Sequence, residues 1–285
     1  MFGLLARGVS AFVASVSGLQ KDDSGIEGSS QDDSRSVKST NSSIRRKSDS
    51  VKSADMMSTR QQFHVESVKD NNLDEIVEFL IDNFAQTEAI LASLKIDEDK
   101  SCLKELSVMI RDLVQDSLQC SSTCVIRNPV SRHIDGIALA CKTSIFDKQI
   151  DRLCAYEFDQ QQVRDAVEFL KYVFNKLDVM YYLNEHRLHR PVFVALVCVR
   201  KELWGQGIGT TLMNHVKSAA RSDSSDGLIS LCSNERGHKL MKNYCPTDFA
   251  AVRYDAFKGE HLRPPIVMRP PETFSSVYAM LAKFT

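Results

Sequence analysis

The sequence has few of the features that mark membrane, secreted or nucleic-acid-binding proteins. Its 36 basic and 37 acidic residues leave a formal net charge of −1, so it has no general attraction for nucleic acid. The eight cysteines form no C-x-x-C pair, and the closely spaced Cys120 and Cys124 have no matching cysteine–histidine pair downstream. This spacing argues against a zinc site and favours reduced, buried thiols in a reducing compartment. We therefore expect a cytoplasmic protein that holds no metal and binds no nucleic acid.

The first 60 residues differ in composition from the rest of the chain. Residues 1–20 are apolar, with Arg7 and no acid. They are too short and interrupted for stable membrane insertion, and they give weak support to organelle targeting. Residues 21–60 are rich in serine and charge, so we expect a disordered tail. Within it, Arg45-Arg46-Lys47-Ser48 matches a basophilic-kinase consensus. A phosphate on Ser48 would recruit a phospho-dependent partner, and the alternative is an incidental charge cluster.

Residues 61–285 have the hydrophobic patterns of one folded domain. Apolar positions recur at helical spacing in 71–84, 101–118 and 163–183, and Asn72 with Glu75 predicts a capping box for the first helix. Further helices are predicted from Thr210 and at 236–244. Strands are predicted at 61–68, 123–127, 134–146, 192–199, 228–232, 249–254 and 277–284, with a proline-rich loop at 261–273. The predicted fold class is α/β, a mixed sheet with helices on both faces.

The stretch 192–217 predicts an anion site. A buried, β-branched strand at Val192–Val199 is followed by a loop with Gly205, Gly207 and Gly209, and then by a helix. Glycines let backbone N–H groups approach a ligand, and the first turn of a helix presents unpaired N–H groups that attract phosphate. The spacing matches neither the dinucleotide fingerprint nor a P-loop.

Residues 204–209 resemble the acetyl-CoA loop of the GNAT superfamily of N-acetyltransferases. Gly207 and Gly209 match its signature, whereas Trp204 stands where the family has arginine or glutamine. The resemblance implies acetyl-CoA as co-substrate, no metal, and a mostly antiparallel mixed sheet. The residues expected to bind the cofactor are Cys198, Val199, Gly205, Gln206, Gly207, Ile208, Gly209 and Thr210. A backbone N–H at the end of the strand, that of Val199 or its neighbour Cys198, is expected to stabilise the oxyanion.

Residues 84–91 extend the resemblance to the invertebrate arylalkylamine N-acetyltransferases, whose dopamine-type members carry a catalytic glutamate in this segment. Glu88 falls on that glutamate, and Leu231-Cys232-Ser233 resembles their L-C-S sequence. The resemblance implies Glu88 as catalytic base and Ser233 as a proton donor or relay, acting on a small primary amine, with an arylalkylamine as the expected acceptor. Phe84 and Tyr156 are candidate walls of an aromatic-amine pocket.

Several alternatives remain open from the sequence. Glu88 could be a solvated helix-end carboxylate, and Ser233 could cap the helix that follows. The domain could be a non-catalytic module that binds CoA or a partner, or an enzyme for polyamines or protein lysines. An open, acidic groove would favour a lysine acceptor over an aromatic amine. His186-x-x-His189 lacks the H-E-x-x-H pattern, so we interpret it as a basic loop and predict no metal ligand there.

Overall fold

The computed structural model describes residues 63–68, 72–259, 265–268 and 274–285. The predictions for residues 1–60, including the targeting segment and Ser48, lie outside these residues, as does most of the proline-rich loop. Among the described helices, none combines the length and the apolar character that crossing a membrane requires.

In the part of the chain that the structure describes, seven strands form one sheet in the order β1-β2-β3-β4-β5-β7-β6. Neighbouring strands are antiparallel except for β4 and β5, which run parallel. The predicted α/β class, with a mixed and mostly antiparallel sheet, is confirmed. The strands are β1 Val65–Ser67, β2 Cys124–Arg127, β3 Ile134–Lys142, β4 Val192–Val199, β5 Gly227–Cys232, β6 Thr247–Arg253 and β7 Ser276–Lys283.

Eight α-helices pack around the described sheet. On one side of the sheet, α1 packs against α3 and β4, and α3 also packs against β3 and α5. Helix α5 packs against β6, and α7 covers strands β2 to β5 on its own. Gly136 in β3 allows the close approach of α7, because a Cβ there would come within 2.8 Å of Ile208 Cγ2. The helices are α1 Leu73–Thr87, α2 Ala89–Ser93, α3 Lys100–Leu118, α4 Phe146–Ala155, α5 Gln161–Leu177, α6 Val179–Glu185, α7 Ile208–Ser222 and α8 Glu235–Lys242.

Two predicted elements need correction. The strand expected at 134–146 ends at Lys142, and the chain turns through a 3-10 segment into α4. The helix expected at 163–183 is broken at Asp178, which has a φ of 35° and caps α6 by accepting a hydrogen bond from Tyr181 N–H at 3.2 Å. Periodicity misses this break because the apolar spacing continues across Asp178.

The capping box predicted for α1 is also wrong. Asn72 precedes the helix but makes no capping hydrogen bond. Glu75 instead accepts hydrogen bonds from both terminal nitrogens of the Arg127 guanidinium, and the bond from Nη2 to Oε2 measures 2.6 Å. This hydrogen bond lowers the pKa of Glu75 from its ordinary value of 4.5. Glu75 therefore ties α1 to β2 rather than capping its own helix.

All eight cysteines are free thiols, and all but Cys154 are buried. Burial raises the pKa of Cys124 and Cys141 to about 12 and that of Cys198 still further. Such thiols stay protonated and unreactive at neutral pH. Within the described residues, no group of three or more His, Cys, Asp or Glu side chains is arranged to hold a metal ion.

Candidate active site

The sheet opens at the carboxyl end of β4. Pairing between β4 and β5 is confined to three register pairs, from Val192 with Leu228 to Val194 with Ser230. Beyond Val194, β4 continues to Val199 beside β3 alone among the described strands. The register with β3 also shifts here, so that Ala195 is an extra residue that bends β4. A gap therefore separates the ends of β4 and β5.

The backbone of β4 directs one N–H toward this gap. Arg200 N–H donates to Asp135 O at 2.9 Å, toward β3. Backbone groups alternate along an antiparallel strand, so the N–H of Val199 faces away from β3 and that of Cys198 faces toward it. Of the two residues predicted from the sequence, Val199 is the one that presents its N–H to the gap.

The glycine loop follows directly and leads into α7. Gly205 and Gly207 have φ values of 81° and 84°, which a residue with a side chain rarely adopts. A Cβ built on either glycine meets no atom within 4 Å, so the space above the loop is open. Gly205, Gln206 and Thr210 are exposed there, whereas Ile208 and Gly209 are buried and anchor the first turn of α7. The open backbone and the helix N-terminus together fit a diphosphate.

Glu88 and Ser233 are brought into direct contact at the same end of the sheet. The Ser233 hydroxyl donates to Glu88 Oε1 at 2.6 Å, and Leu91 N–H donates to Glu88 Oε2 at 2.8 Å. Glu88 is 2% exposed and Ser233 is fully buried. Glu88 thus ends α1 and caps α2, and the interpretation of it as a solvated helix-end carboxylate is wrong.

Ser233 does not cap the helix that follows it. Asn234 is the N-cap of α8, and its Oδ1 accepts a hydrogen bond from Gly237 N–H at 2.7 Å. The Tyr254 hydroxyl donates to the backbone oxygen of Ser233 and holds the end of β5 in place. Ser233 is therefore free to direct its hydroxyl at Glu88.

A large acidic cleft adjoins this gap. Its volume is about 1110 Å³, and it lies between α1, the β2–β3 turn and the segment that follows β4. Thr87, next to Glu88, and Arg200, next to Val199, both line it. Three basic side chains, Arg200, Lys201 and His133, face a larger set of carboxylates: Glu75, Glu78, Asp82, Asp97, Asp135 and Glu202.

One carboxylate of the cleft is buried. Asp135 is 8% exposed, and burial raises its pKa, while Arg200, whose Nε lies 3.9 Å from Oδ1, acts in the opposite direction. The cleft nevertheless keeps more acidic than basic side chains, several of them exposed. Such a surface attracts cations.

The aromatic pocket predicted from the sequence is not found in this cleft. Phe84 is fully buried in the core, so it offers no surface to a ligand. Tyr156 lies elsewhere, where its hydroxyl donates to Asp112 Oδ2 on α3 at 2.5 Å. Neither residue lines the cleft, and the aromatic ring that does is Phe79.

Three residues at the gap are not marked by any sequence motif: Asn234, Arg236 and Tyr254. Asn234 could have been predicted as the N-cap of α8, because asparagine is a preferred residue at that position and stands directly before the helical segment. The contacts of Arg236 and Tyr254 depend on pairing of distant strands, and no local pattern reveals them.

Comparison with known proteins finds a family model that matches part of the chain and solved structures that share its fold. Residues 179–244, from α6 to the end of the α8 region, match the model of the acetyltransferase (GNAT) family. No curated protein sequence matches the chain. Among solved structures, arylalkylamine N-acetyltransferase 2 from Aedes aegypti has a TM-score of 0.64 and 11% identity, over 78% of this chain and 99% of that one.

A second solved structure is a polyamine N-acetyltransferase from Drosophila melanogaster that forms N-acetylagmatine. Its TM-score is 0.62 at 14% identity, over 78% of this chain and 100% of that one. At these identities the likeness establishes a shared fold. The acceptor has to be argued from this chain's own side chains.

Proposed function

We propose that this chain is an acetyl-CoA-dependent N-acetyltransferase of the GNAT family and that its acceptor is a small primary amine. The observation that carries the proposal is the contact between Glu88 and Ser233 beside the gap at the end of β4. It joins a carboxylate and a hydroxyl near the acidic cleft, which is lined by Thr87, the neighbour of Glu88, and by Arg200, the neighbour of Val199.

The reaction needs a base because a primary amine is protonated at neutral pH. With a pKa near that of lysine, about 10.4, loss of the proton at pH 7 costs roughly 4 to 5 kcal/mol. Glu88 accepts this proton, either directly or through one water molecule. The Leu91 N–H and the Ser233 hydroxyl hold its two oxygens in a fixed orientation.

The other steps also fall to groups at the gap. The cofactor, when bound, supplies an acetyl thioester, and the glycine loop with the start of α7 holds its diphosphate. The Val199 N–H faces the gap and donates to the oxygen that becomes negative during attack by the neutral amine. The proton that Glu88 takes from the ammonium passes through Ser233 to the leaving sulfur, and the proton that the nitrogen loses as the amide forms goes to water. Attack is direct, in a complex that holds both substrates.

The charge of the cleft favours one class of acceptor. An arylalkylamine carries one cationic group and an aromatic ring, and Phe79 is the only aromatic lining residue of the cleft. A di- or polyamine, or a lysine side chain in a basic peptide, carries further positive charge along its length. Exposed Glu78 and Asp82 on α1 can bind such charges, and Thr87, which also lines the cleft, is adjacent to Glu88. Within small primary amines, we therefore rank acceptors with a second cation above simple arylalkylamines.

A CoA-release assay across matched acceptors tests the proposal. Spermidine, agmatine and a lysine peptide form one group, and dopamine, octopamine, serotonin and tryptamine form the other. We expect turnover, with the highest kcat/KM in the first group. Turnover confined to the second group would restore the arylalkylamine hypothesis. Binding of acetyl-CoA with no turnover on any of these amines would support a non-catalytic module instead.

A further inference from the structure

The anion loop has no positively charged side chain of its own. Residues 204–209 are Trp, Gly, Gln, Gly, Ile and Gly, so the backbone N–H groups must meet a diphosphate without a cation from the loop. The family resemblance places arginine or glutamine at position 204, where this chain has its only tryptophan. The question is which side chain of this protein supplies the missing donor.

The Trp204 side chain is fixed as a platform beside the gap. Its Nε1–H donates to Val199 O at 2.9 Å, which fastens the indole to the end of β4. The ring is half-buried and packs against the hydrophobic core. Its position is therefore set by the same strand end that presents the Val199 N–H.

Arg236 reaches this platform from the other side of the gap. It lies in the first turn of α8, directly after β5, and its Cζ lies 4.7 Å from the centre of the Trp204 ring. The Lys201 ammonium lies 5.9 Å from the same centre. The contact between Arg236 and Trp204 thus joins the loop after β4 to the helix after β5.

The guanidinium of Arg236 keeps its hydrogen-bonding capacity. Among the described residues, no carboxylate lies within ion-pair distance of Arg236, and the adjacent Glu235 is paired with Lys239 at 2.7 Å. A guanidinium that packs on an aromatic ring leaves its N–H groups at the edge, where they can form paired hydrogen bonds with phosphate. The residue itself is exposed to solvent.

We propose that Arg236, positioned by Trp204, binds the diphosphate of acetyl-CoA and takes the place of the family's missing loop side chain. The inference rests on the proposed use of acetyl-CoA. It explains the departure at Trp204: the indole does not contact phosphate itself but positions an arginine contributed by α8. Cofactor binding then involves both sides of the gap, with the α7 N-terminus on one and Arg236 on the other.

The single tryptophan provides a direct binding signal. Emission of Trp204 is titrated with CoA, dephospho-CoA and pantetheine in the wild type, in Arg236→Gln and in Lys239→Gln. Lys239 is the matched control because it removes one positive charge from the same helix without touching Trp204. We expect Arg236→Gln to weaken CoA and dephospho-CoA equally, by about 10- to 100-fold, the range for a lost charge-assisted hydrogen bond. Pantetheine affinity and the Lys239 variant should match the wild type.

The outcomes separate this inference from the proposed function. If the wild type binds none of the three ligands, the proposed function fails. If the wild type binds CoA and Arg236→Gln binds it equally well, the assignment of Arg236 is overturned while the function stands. If the loss appears with CoA but not with dephospho-CoA, Arg236 contacts the 3′-phosphate and the diphosphate assignment is wrong.

A second set of variants tests the role of Trp204 by calorimetry. Trp204→Leu removes the aromatic platform and should weaken CoA about as much as Arg236→Gln, whereas Trp204→Phe should retain most of the affinity. Trp204→Arg introduces the family residue and should restore CoA binding in the Arg236→Gln background. If this double variant melts at the wild-type temperature and still binds CoA weakly, the proposal that Arg236 takes the role of the family's loop side chain is wrong.

Discussion

The Ser233 hydroxyl donates a 2.6 Å hydrogen bond to the Glu88 carboxylate across 145 positions of sequence. Both side chains are almost completely buried, so the bond forms in a region with little screening by water. Glu88 also caps α2 through Leu91 N–H, which means that one carboxylate serves the fold and the proposed chemistry. Substitutions must be chosen to separate these two roles.

Replacing Glu88 by glutamine should remove the base and keep the cap. The amide oxygen can still accept from Leu91 N–H, and the amide can still bond to Ser233. We expect kcat to fall by about 10²- to 10⁴-fold with CoA affinity unchanged. Glu88→Ala should lose the same activity and also lower the melting temperature, because the cap is worth about 1 kcal/mol. Undiminished turnover by Glu88→Gln would exclude Glu88 as the base.

Replacing Ser233 by alanine should slow the reaction without abolishing it. Glu88 Oε1 loses its donor, and one charge-assisted hydrogen bond contributes roughly 1.5 to 3 kcal/mol, so kcat should fall about 10- to 100-fold. Ser230→Ala is the matched control, because it removes a buried hydroxyl from β5, the strand that directly precedes Ser233. The Ser230 hydroxyl donates to Val194 O and does not contact Glu88. If both variants lose stability and neither loses kcat, Ser233 has a structural role alone.

Neutralising the cleft should change acceptor selection. Glu78→Gln combined with Asp82→Asn removes two exposed charges from one face of α1. KM for spermidine should rise about tenfold and become less sensitive to salt, while KM for tryptamine should change little. Glu168→Gln, an exposed residue of α5 paired with Lys171, is the control for net charge. Equal changes in KM for spermidine and tryptamine would show that the cleft is not part of the acceptor site.

Alanine at Gly207 should weaken the cofactor loop through backbone strain. The φ of 84° costs a residue with a side chain about 1 to 2 kcal/mol, although no atom stands in the way of the Cβ. We expect weaker CoA binding and a lower melting temperature. Gly259→Ala should be nearly neutral, because its Cβ meets ordinary contacts of 3.4 Å or more and its φ is not positive. A Gly207 variant with normal CoA affinity would argue against a backbone cradle.

The link between Glu75 and Arg127 should appear in the pH dependence of stability. The folded-state pKa of Glu75 lies below its ordinary value of 4.5 because Arg127 donates to it. Its stabilising contribution is therefore complete above about pH 4.5 and is lost as the pH falls through the lower, folded-state pKa. Comparison of denaturation curves for the wild type and Glu75→Gln should show a difference of at most about 1 kcal/mol at pH 7, since Glu75 is 41% exposed. That difference should vanish in acid.

The sequence predicts most of the elements because local periodicity determines them. The apolar run of β4 and the glycines before α7 are strong local signals, and the structure places both as expected. The break at Asp178 and the start of α4 at Phe146 are missed because they depend on backbone conformation that the hydrophobic pattern does not record.

The candidate site is predicted in part for the same reason. Glu88, Ser233 and the loop glycines belong to short motifs, and each can be proposed alone. Their proximity depends on the order of the strands and on the packing of α1 against the sheet, which no motif contains. The charge of the cleft is likewise assembled from α1, the β2–β3 turn and the segment after β4, so the sequence pointed to an aromatic pocket where the structure has an acidic one.

The short parallel pairing of β4 with β5 has a mechanical consequence. It divides the described sheet into two antiparallel blocks. One block contains β1 to β4 and the other contains β5, β7 and β6, and three register pairs of β4 with β5 join them. Glu88 is attached to the first block and Ser233 to the second, and Trp204 and Arg236 are divided in the same way. A rotation of one block relative to the other would separate Glu88 from Ser233 and Trp204 from Arg236 at the same time. Occupancy of the proposed cofactor site and alignment of the proposed proton path would therefore change together.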